Sequence, residues 1–313
     1  MSAFVVVNPR SGGGRTRREW PLIEDRLNAV YPNMSYAFTR HRGEAAELVR
    51  AALREGVPEI VAIGGDGTIN EAVNGFFDAS GRTVSPDAVF AFVTSGTGGD
   101  FRKTFDIAPG PAAAIARLKD SRVRKMDVGR VSCLSLRGEP MTRHFVNIGS
   151  FGLSGVIVDK VNRARIAKLF GGTFVFAFHS LAAMLTYGNR TVRIRVDGEF
   201  DEIANVSTVA VANGQYFGGG MRVAPNARPD DGQFDVIIMA GTSRGQAAAD
   251  FKQIYTGEHL KNPAVTALRG TRVVAVPVAE TRGRPVLIEV DGESAGRLPA
   301  TFEIYPRAIN LRC

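Results

Sequence analysis

The first 125 residues alternate short β-branched apolar runs with helical stretches, and a glycine-rich turn follows three of the four runs. The runs are Phe4–Val7, Ser35–Thr39, Glu59–Ile63 and Val89–Val93. Helical composition lies between and after them, from the first turn to about Val30, over Glu44–Arg54, over Ile69–Phe77 and over Pro111–Leu118. Strands spaced by helices cannot pair as hairpins, so they are expected to form an open, mostly parallel sheet with helices on both faces.

After about Met126 the pattern changes. Val128–Leu136, His144–Ile148, Thr191–Val196, Ser207–Ala212, Phe234–Met239, Thr271–Val276 and Val286–Val290 are β-branched runs, and turn residues separate most of them. Helical insertions are expected near Asp159–Tyr187 and Arg244–Tyr255. This predicts an all-β C-terminal sandwich domain. The change of pattern places the boundary near residue 125, between an α/β domain over residues 1–125 and a β domain that begins at 126.

At 313 residues, with 44% hydrophobic and 22% charged side chains, the chain has room and composition for two ordinary cores. Its formal charge of +8 suits solubility or attraction to an anionic membrane face. No Lys/Arg run is interleaved with aromatics and no zinc spacing occurs, which argues against nucleic acid as a partner. Clusters such as Arg15, Arg17 and Arg18, or Arg122, Arg124 and Lys125, have the composition of solvated faces. Two cysteines, Cys133 and Cys313, form no disulfide framework, and no signal peptide precedes the first run, so a cytoplasmic protein is expected. The apolar stretch Leu169–Tyr187 approaches the ~20 residues of a spanning helix. Gly171-Gly172 and His179-Ser180 interrupt it, and a buried or interfacial helix is the expectation.

The chemistry concentrates in the turns. Ile63-Gly64-Gly65-Asp66-Gly67-Thr68 leads from a buried strand into a helix, and Thr68 with Glu71 has the spacing of a capping box that would start the helix there. A helix start presents amide N–H groups and a positive dipole end, which suit a phosphate. Asn8-Pro9-Arg10-Ser11-Gly12-Gly13-Gly14 and Ser95-Gly96-Thr97-Gly98-Gly99-Asp100-Phe101 have the same design. Ligands bind at the carboxyl edge of parallel sheets, so the three turns should converge on one pocket. None is a Walker A loop or a G-x-G-x-x-G fingerprint.

The second half supplies acids. Pro225–Gly232, with Asp230 and Asp231, has the chemistry of a surface turn, and its carboxylates could also hold a hard cation. Asp291-Gly292-Glu293 is a hairpin turn that also presents Glu293 as a candidate general base. Gly292–Gly296 matches G-x-S-x-G, but no helix pattern follows it and all four histidines precede it, which excludes a serine hydrolase.

In order and type these residues resemble the diacylglycerol kinase catalytic family, which includes bacterial diacylglycerol and phosphatidylglycerol kinases and sphingosine kinases. The resemblance runs from Asn8-Pro9…Gly12 through Gly64–Thr68, Asn70-Glu71 and Gly96-Thr97…Asp100-Phe101. It continues through Gly218–Gly220, Pro225, Asp231-Gly232 and Phe234-Asp235 to Asp291-Gly292-Glu293. It implies two domains with ATP in the cleft between them, and a last strand, near Thr301 to Asn310, that returns to the first domain, which then comprises residues 1–125 and about 301–313 against 126–300 for the second. It further implies nucleotide contacts at Asn8, Thr39, Gly65, Asp66, Gly67, Thr68, Ile69, Asn70, Glu71 and Thr97. Glu293 would be the base acting on a lipid hydroxyl, and Asp66 and Asp100 would lie near the Mg²⁺ carried by ATP. A structural Mg²⁺ would sit on Asp231 and the backbone oxygens of Arg228 and Gln233. The partners implied are a lipid substrate reached by peripheral membrane contact and a second copy of the chain as a homodimer. One departure stands at Gly99, where the family pattern has Asn. An NAD kinase shares the Gly64–Thr68 turn and is the nearest alternative; a non-catalytic nucleotide- or lipid-binding module is the other.

Overall fold

The computed structural model describes residues 2–95, 99–163, 187–240, 252–278 and 285–313. The chain divides into two compact units, Met1–Asp127 with Arg307–Cys313, and Val128–Pro306. The boundaries fall at 127 and 307, against the 125 expected from the change of pattern and the about 301 implied by the resemblance.

In the first unit, strands β1 (Ser2–Val7), β2 (Asn33–Phe38), β3 (Glu59–Gly64) and β4 (Val89–Thr94) lie in the order β2-β1-β3-β4, and every pairing is parallel. Helices α1 (Arg15–Asn28), α2 (Glu44–Arg54), α3 (Asp66–Gly75), α4 (Asp100–Lys103) and α5 (Pro111–Asp120) connect or follow them. Alternation along each strand sorts the core. Val5, Val7, Val61, Ile63, Ala91 and Val93 face Trp20, Ile23 and Leu27 of α1 and Ala114, Ile115 and Leu118 of α5. From the intervening positions of β4, Phe90 meets Phe76 after α3, with ring centroids 5.7 Å apart, and Phe92 meets Phe101 of α4 at 5.0 Å.

The second unit is antiparallel. It contains β5 (Val123–Leu134, which begins before the boundary), β6 (Pro140–Phe145), β7 (Ile148–Gly152), helix α6 (Leu153–Arg163), β8 (Arg190–Val196), β9 (Phe200–Ala212), β10 (Phe234–Ala240), β11 (Val265–Gly270), β12 (Arg272–Pro277), β13 (Leu287–Val290) and β14 (Glu293–Arg312). The 13-residue β9 pairs with β8 through its first half and with β7 through its second. β14 pairs with β13 near its start and with β12 at Ala300–Glu303. With β8–β12 and β7–β13 these pairings close a circuit of six strands. Inside it Phe145 stacks on Phe234 at 5.7 Å, and Phe302 meets both Phe145 and Phe151.

Two expectations are corrected here. His144–Ile148 is not one strand: β6 ends at Phe145 and β7 begins at Ile148. The backbone N–H groups of Val146, Asn147 and Ile148 bond instead to the Asp291 carboxylate, at 2.9, 3.0 and 3.0 Å, which withdraws them from a ladder. Val265–Gly270, too short and mixed to stand out in the sequence, is a strand paired with β10. Most of the apolar segment Leu169–Tyr187 and of the insertion Arg244–Tyr255 lies outside the described residues. Among the described residues no helix is long and apolar enough to cross a membrane.

The end of β14 belongs to the first unit, where Asn310 and Leu311 pair in parallel with Val89 and Phe90. A buried cluster fastens it: Arg312 donates to both oxygens of Glu59, at 2.6 and 2.9 Å, and the Tyr31 hydroxyl donates to the same carboxylate at 2.6 Å. Burial, reinforced by that carboxylate, pushes the Tyr31 phenol far up from its usual pKa. Removing one partner of a buried ion pair leaves an uncompensated charge. Glu59→Gln should therefore cost about 3 kcal/mol, measured as a fall in the denaturation midpoint; an unchanged midpoint would show that the last strand is held by its backbone bonds alone.

Candidate active site

Register brings three turns to one level. Val7 stands opposite Ile63, Ile63 opposite Val93 and Gly64 opposite Thr94, so the turns after β1, β3 and β4 leave the same carboxyl edge. The amides of Asn8 and Ser95 continue the ladder onto the carbonyls of Ile63 and Gly64, at 2.9 and 2.8 Å. Because β1 lies between β2 and β3, the winding reverses between β1 and β3, and such a reversal opens a crevice for ligands.

Side chains bond each pair of turns across this edge. Asn8 Nδ2 donates to Thr68 Oγ1 at 3.0 Å, joining the first turn to the second over the reversal point. Ser11 Oγ donates to Ser95 O at 3.2 Å, and the Thr16 and Ser95 hydroxyls lie 2.6 Å apart, joining the first to the third. Gly12 makes that approach possible, since at its φ of +60° a Cβ would come within 2.6 Å of Ser95 O. The Asp66 carboxylate accepts from the amides of Asp100, at 3.1 Å, and Phe101, at 3.4 Å, joining the second to the third.

Helix α3 starts at Asp66 with Gly65 as its N-cap, three residues earlier than the capping-box spacing suggests, and no side chain caps it. The Thr68 hydroxyl is taken by Asn8 instead. Gly65, Asp66, Gly67 and Glu71 are partly exposed, whereas Ile69 and Asn70 are fully buried beneath them. Thr39 extends β2, with its amide on Val7 O at 2.8 Å, and so stands beside Asn8. Asp100 is buried and its Oδ1 pairs with Lys103 at 2.7 Å. Gly99, where the family pattern has Asn, adopts left-handed backbone at φ +64°, a conformation open to both residues. Thr97 lies outside the described residues.

In the second unit Asp291 and Gly292 both take positive φ, +48° and +80°, in the tight turn that joins β13 to β14. The buried Asp291 carboxylate is consumed by the three amides of Val146–Ile148, whereas Glu293, two residues on, is partly exposed. Sequence reasoning missed Glu289. It is 2% exposed, accepts from Ser150 Oγ at 2.5 Å and from the Gly292 amide at 2.9 Å, and thus braces the turn that carries Glu293. Burial pushes its carboxyl up to about 7, opposed by those two hydrogen bonds and reinforced by Asp291 and Glu293. A lone carboxylate inside the apolar run Leu287–Val290 was the available signal.

Residues 2–131 match the family model of the diacylglycerol kinase catalytic domain, and residues 147–313 match that of the YegS C-terminal NAD kinase beta sandwich-like domain. The chain belongs to the diacylglycerol kinase family. A diacylglycerol kinase of Staphylococcus haemolyticus (strain JCSC1435) is 26% identical over 312 residues, 99% of this chain and 87% of that one. A second, from Staphylococcus carnosus (strain TM300), is 26% identical over 303 residues, 96% of this chain and 91% of the other. The crystal structure of a diacylglycerol kinase from Bacillus anthracis str. Sterne has the same fold at TM-score 0.71 and 21% identity, covering 99% of this chain and 96% of that one. Yeast NADH kinase complexed with NADH is more distant, at TM-score 0.52 and 12% identity, with 100% of this chain and 82% of that chain covered.

This kinase departs from the family's implied metal site. Asp231 Oδ1 accepts from the Gln233 amide at 3.2 Å, a local turn, and its Oδ2 is paired with the Arg269 guanidinium. Arg228 directs its side chain to Asp230, with Nε 3.8 Å from Oδ1. Among the described residues no three His, Cys, Asp or Glu side chains gather to hold an ion. The arrangement around Asp231 does not fit a structural Mg²⁺. Asp66 and Asp100, by contrast, are joined through the Asp100 amide, and the Asp100 carboxylate pairs with Lys103.

The Glu289 carboxyl supplies a pH test. Its folded pKa lies above the unfolded value of 4.5, so the native state binds the extra proton, and its contribution to stability is lost as pH rises from about 4.5 to about 7. The loss is at most about 3 kcal/mol. Denaturation midpoints at about pH 5 and about pH 8 should fall between the two for the wild type and change much less for Glu289→Gln; equal slopes would mean that Glu289 ionises freely in the fold.

Proposed function

We propose that this kinase transfers the γ-phosphoryl group of ATP, supplied with Mg²⁺, to a hydroxyl of diacylglycerol or a related membrane lipid. The observation that carries the reading is the pairwise bonding of three glycine-rich turns at the reversal point of a parallel sheet. Phosphoryl transfer asks a protein for positioning and charge stabilisation more than for covalent chemistry. Amides at the start of α3 would receive the phosphates, and Asn8, Thr39 and Thr97 would border them. Mg²⁺ on the phosphates supplies charge neutralisation when bound, and Asp66 and Asp100 are the residues that would face it.

In the transfer the lipid oxygen forms a bond to the γ-phosphorus while the bond to the β,γ-bridging oxygen breaks. ADP leaves with that electron pair, and the hydroxyl proton passes to the Glu293 carboxylate. Asp291 and Glu289 hold the turn that presents Glu293. The net charge of +8 favours approach to an anionic membrane surface, where such a lipid resides. A radiolabelled-ATP assay against diacylglycerol, phosphatidylglycerol, sphingosine, ceramide and monoacylglycerol, with NAD alongside, tests the substrate class. Label transferred to NAD and to no lipid would overturn it.

Glu293→Gln should lower kcat by on the order of 10²-fold with the Kd for ATP unchanged, because a Gln of the same shape cannot accept the proton. A rate within about threefold of wild type, well short of a general-base effect, would remove Glu293 from the mechanism. Asp66→Asn keeps one acceptor oxygen, enough for one of the Asp100 and Phe101 amides that now use the two oxygens separately, so the thermal midpoint should fall only slightly while kcat falls by on the order of 10²-fold or more. Loss of folding in step with activity would make Asp66 a purely structural tie.

A further inference from the structure

The acids of the Pro225–Asp235 segment carry a feature that the transfer reaction does not use. Asp231 lies in the turn before β10 and Asp235 on β10, and both carboxylates lie against one side chain, that of Arg269. Asp235 is 6% exposed, and its Oδ2 is buried with no hydrogen-bond partner. Two acids so placed call for a positive charge, since a buried carboxylate is costly unless paired.

Arg269 supplies one. It stands directly opposite Asp235 in the antiparallel pairing of β10 with β11. From there its Nη2 is bonded to Asp231 Oδ2, and its Nε lies 3.8 Å from Asp235 Oδ2. We propose that the guanidinium of Arg269 takes the place of the divalent cation that the family pattern sets at Asp231, so that this segment is fastened by a cation belonging to the chain itself.

The physical consequences differ from those of a bound ion. A guanidinium stays charged at any accessible pH and donates from a planar fork, so it can serve two carboxylates at once. Being tethered, it neither dissociates on dilution nor yields to a chelator. A Mg²⁺ ion would require six oxygens in near-octahedral array, and its approach to Asp231 would be opposed by the resident positive charge. The fastening of this segment is therefore independent of the metal that accompanies ATP.

The test is thermal unfolding of the full chain without nucleotide, in EDTA and then across a Mg²⁺ or Mn²⁺ titration, for wild type and Arg269→Met. Wild type is expected to give the same midpoint throughout. Arg269→Met is expected to melt lower in EDTA and to regain about half or more of the loss as either ion saturates the bared carboxylates, as a ligand of the native state must do. Mn²⁺ binding followed by the loss of its free electron-spin signal should show one more bound ion in the variant than in wild type. Should Arg269→Met not fold, the double variant Asp231→Asn with Arg269→Met removes one of the two bared acids and leaves only the buried Asp235; it is expected to fold and to ignore both ions. A divalent-ion-dependent rise in the wild-type midpoint that Asp231→Ala abolishes would overturn the proposal, as would a double variant that still gains stability from the ions. No lipid or ATP enters the experiment, so its result is separate from that of the phosphoryl-transfer assay.

Discussion

Three strands that end at the same height are the constraint from which the first unit's chemistry follows. Parallel pairing between β1, β3 and β4 leaves no choice about where Asn8, Gly65 and Ser95 emerge. Once level, short side chains suffice to tie the turns together: an amide reaches a threonine hydroxyl, a serine reaches a carbonyl, and one carboxylate gathers two amides. Glycine is needed where backbones nearly touch, as at Gly12 against Ser95. An edge built this way is tied together before any ligand arrives, and preorganisation of that kind lowers the cost of binding.

The second unit solves a different problem with the same currency of unpaired amides. Between β6 and β7 the chain would leave three N–H groups buried and unsatisfied, and Asp291 takes all three. Asp291 is thus spent on architecture, while Glu293, two residues on, is partly exposed. Glu289 stands beneath both. Its hydrogen bond to the Gly292 amide fixes the turn, while its burial among carboxylates disfavours its own charge.

Much of the fold was legible in the sequence. Alternating apolar runs and glycine punctuation set out β1 to β4 and their helices to within a few residues, because each run must bury both faces. The two-part division was legible in the change of pattern after Met126, and the return of the last strand through resemblance. What escaped was decided by long-range partners. No local pattern says that Thr68 will bond to Asn8 sixty residues away rather than cap its own helix. Nor does the run His144–Ile148 reveal that a carboxylate at position 291 will interrupt it. The expected cation at Asp231 is a third case, since its competitor, Arg269, is 38 residues distant and becomes a neighbour only when β11 pairs with β10.

β14 has a consequence for the life of the chain on the ribosome. The first unit is not complete when its first 127 residues have been made: Val89 and Phe90 at the edge of β4 wait for Asn310 and Leu311, and Glu59 waits for Arg312. Asn310 also reaches back over 222 residues to the carbonyl of Ala88. The second unit, wholly contained between those segments, can close first. Synthesis thus delivers β1 to β4 with an open edge and a buried carboxylate lacking its counter-charge, and both are sealed only once Asn310, Leu311 and Arg312 have been made. Because an exposed edge strand invites pairing with other chains, the interval before that closure is when this protein is most open to wrong partners.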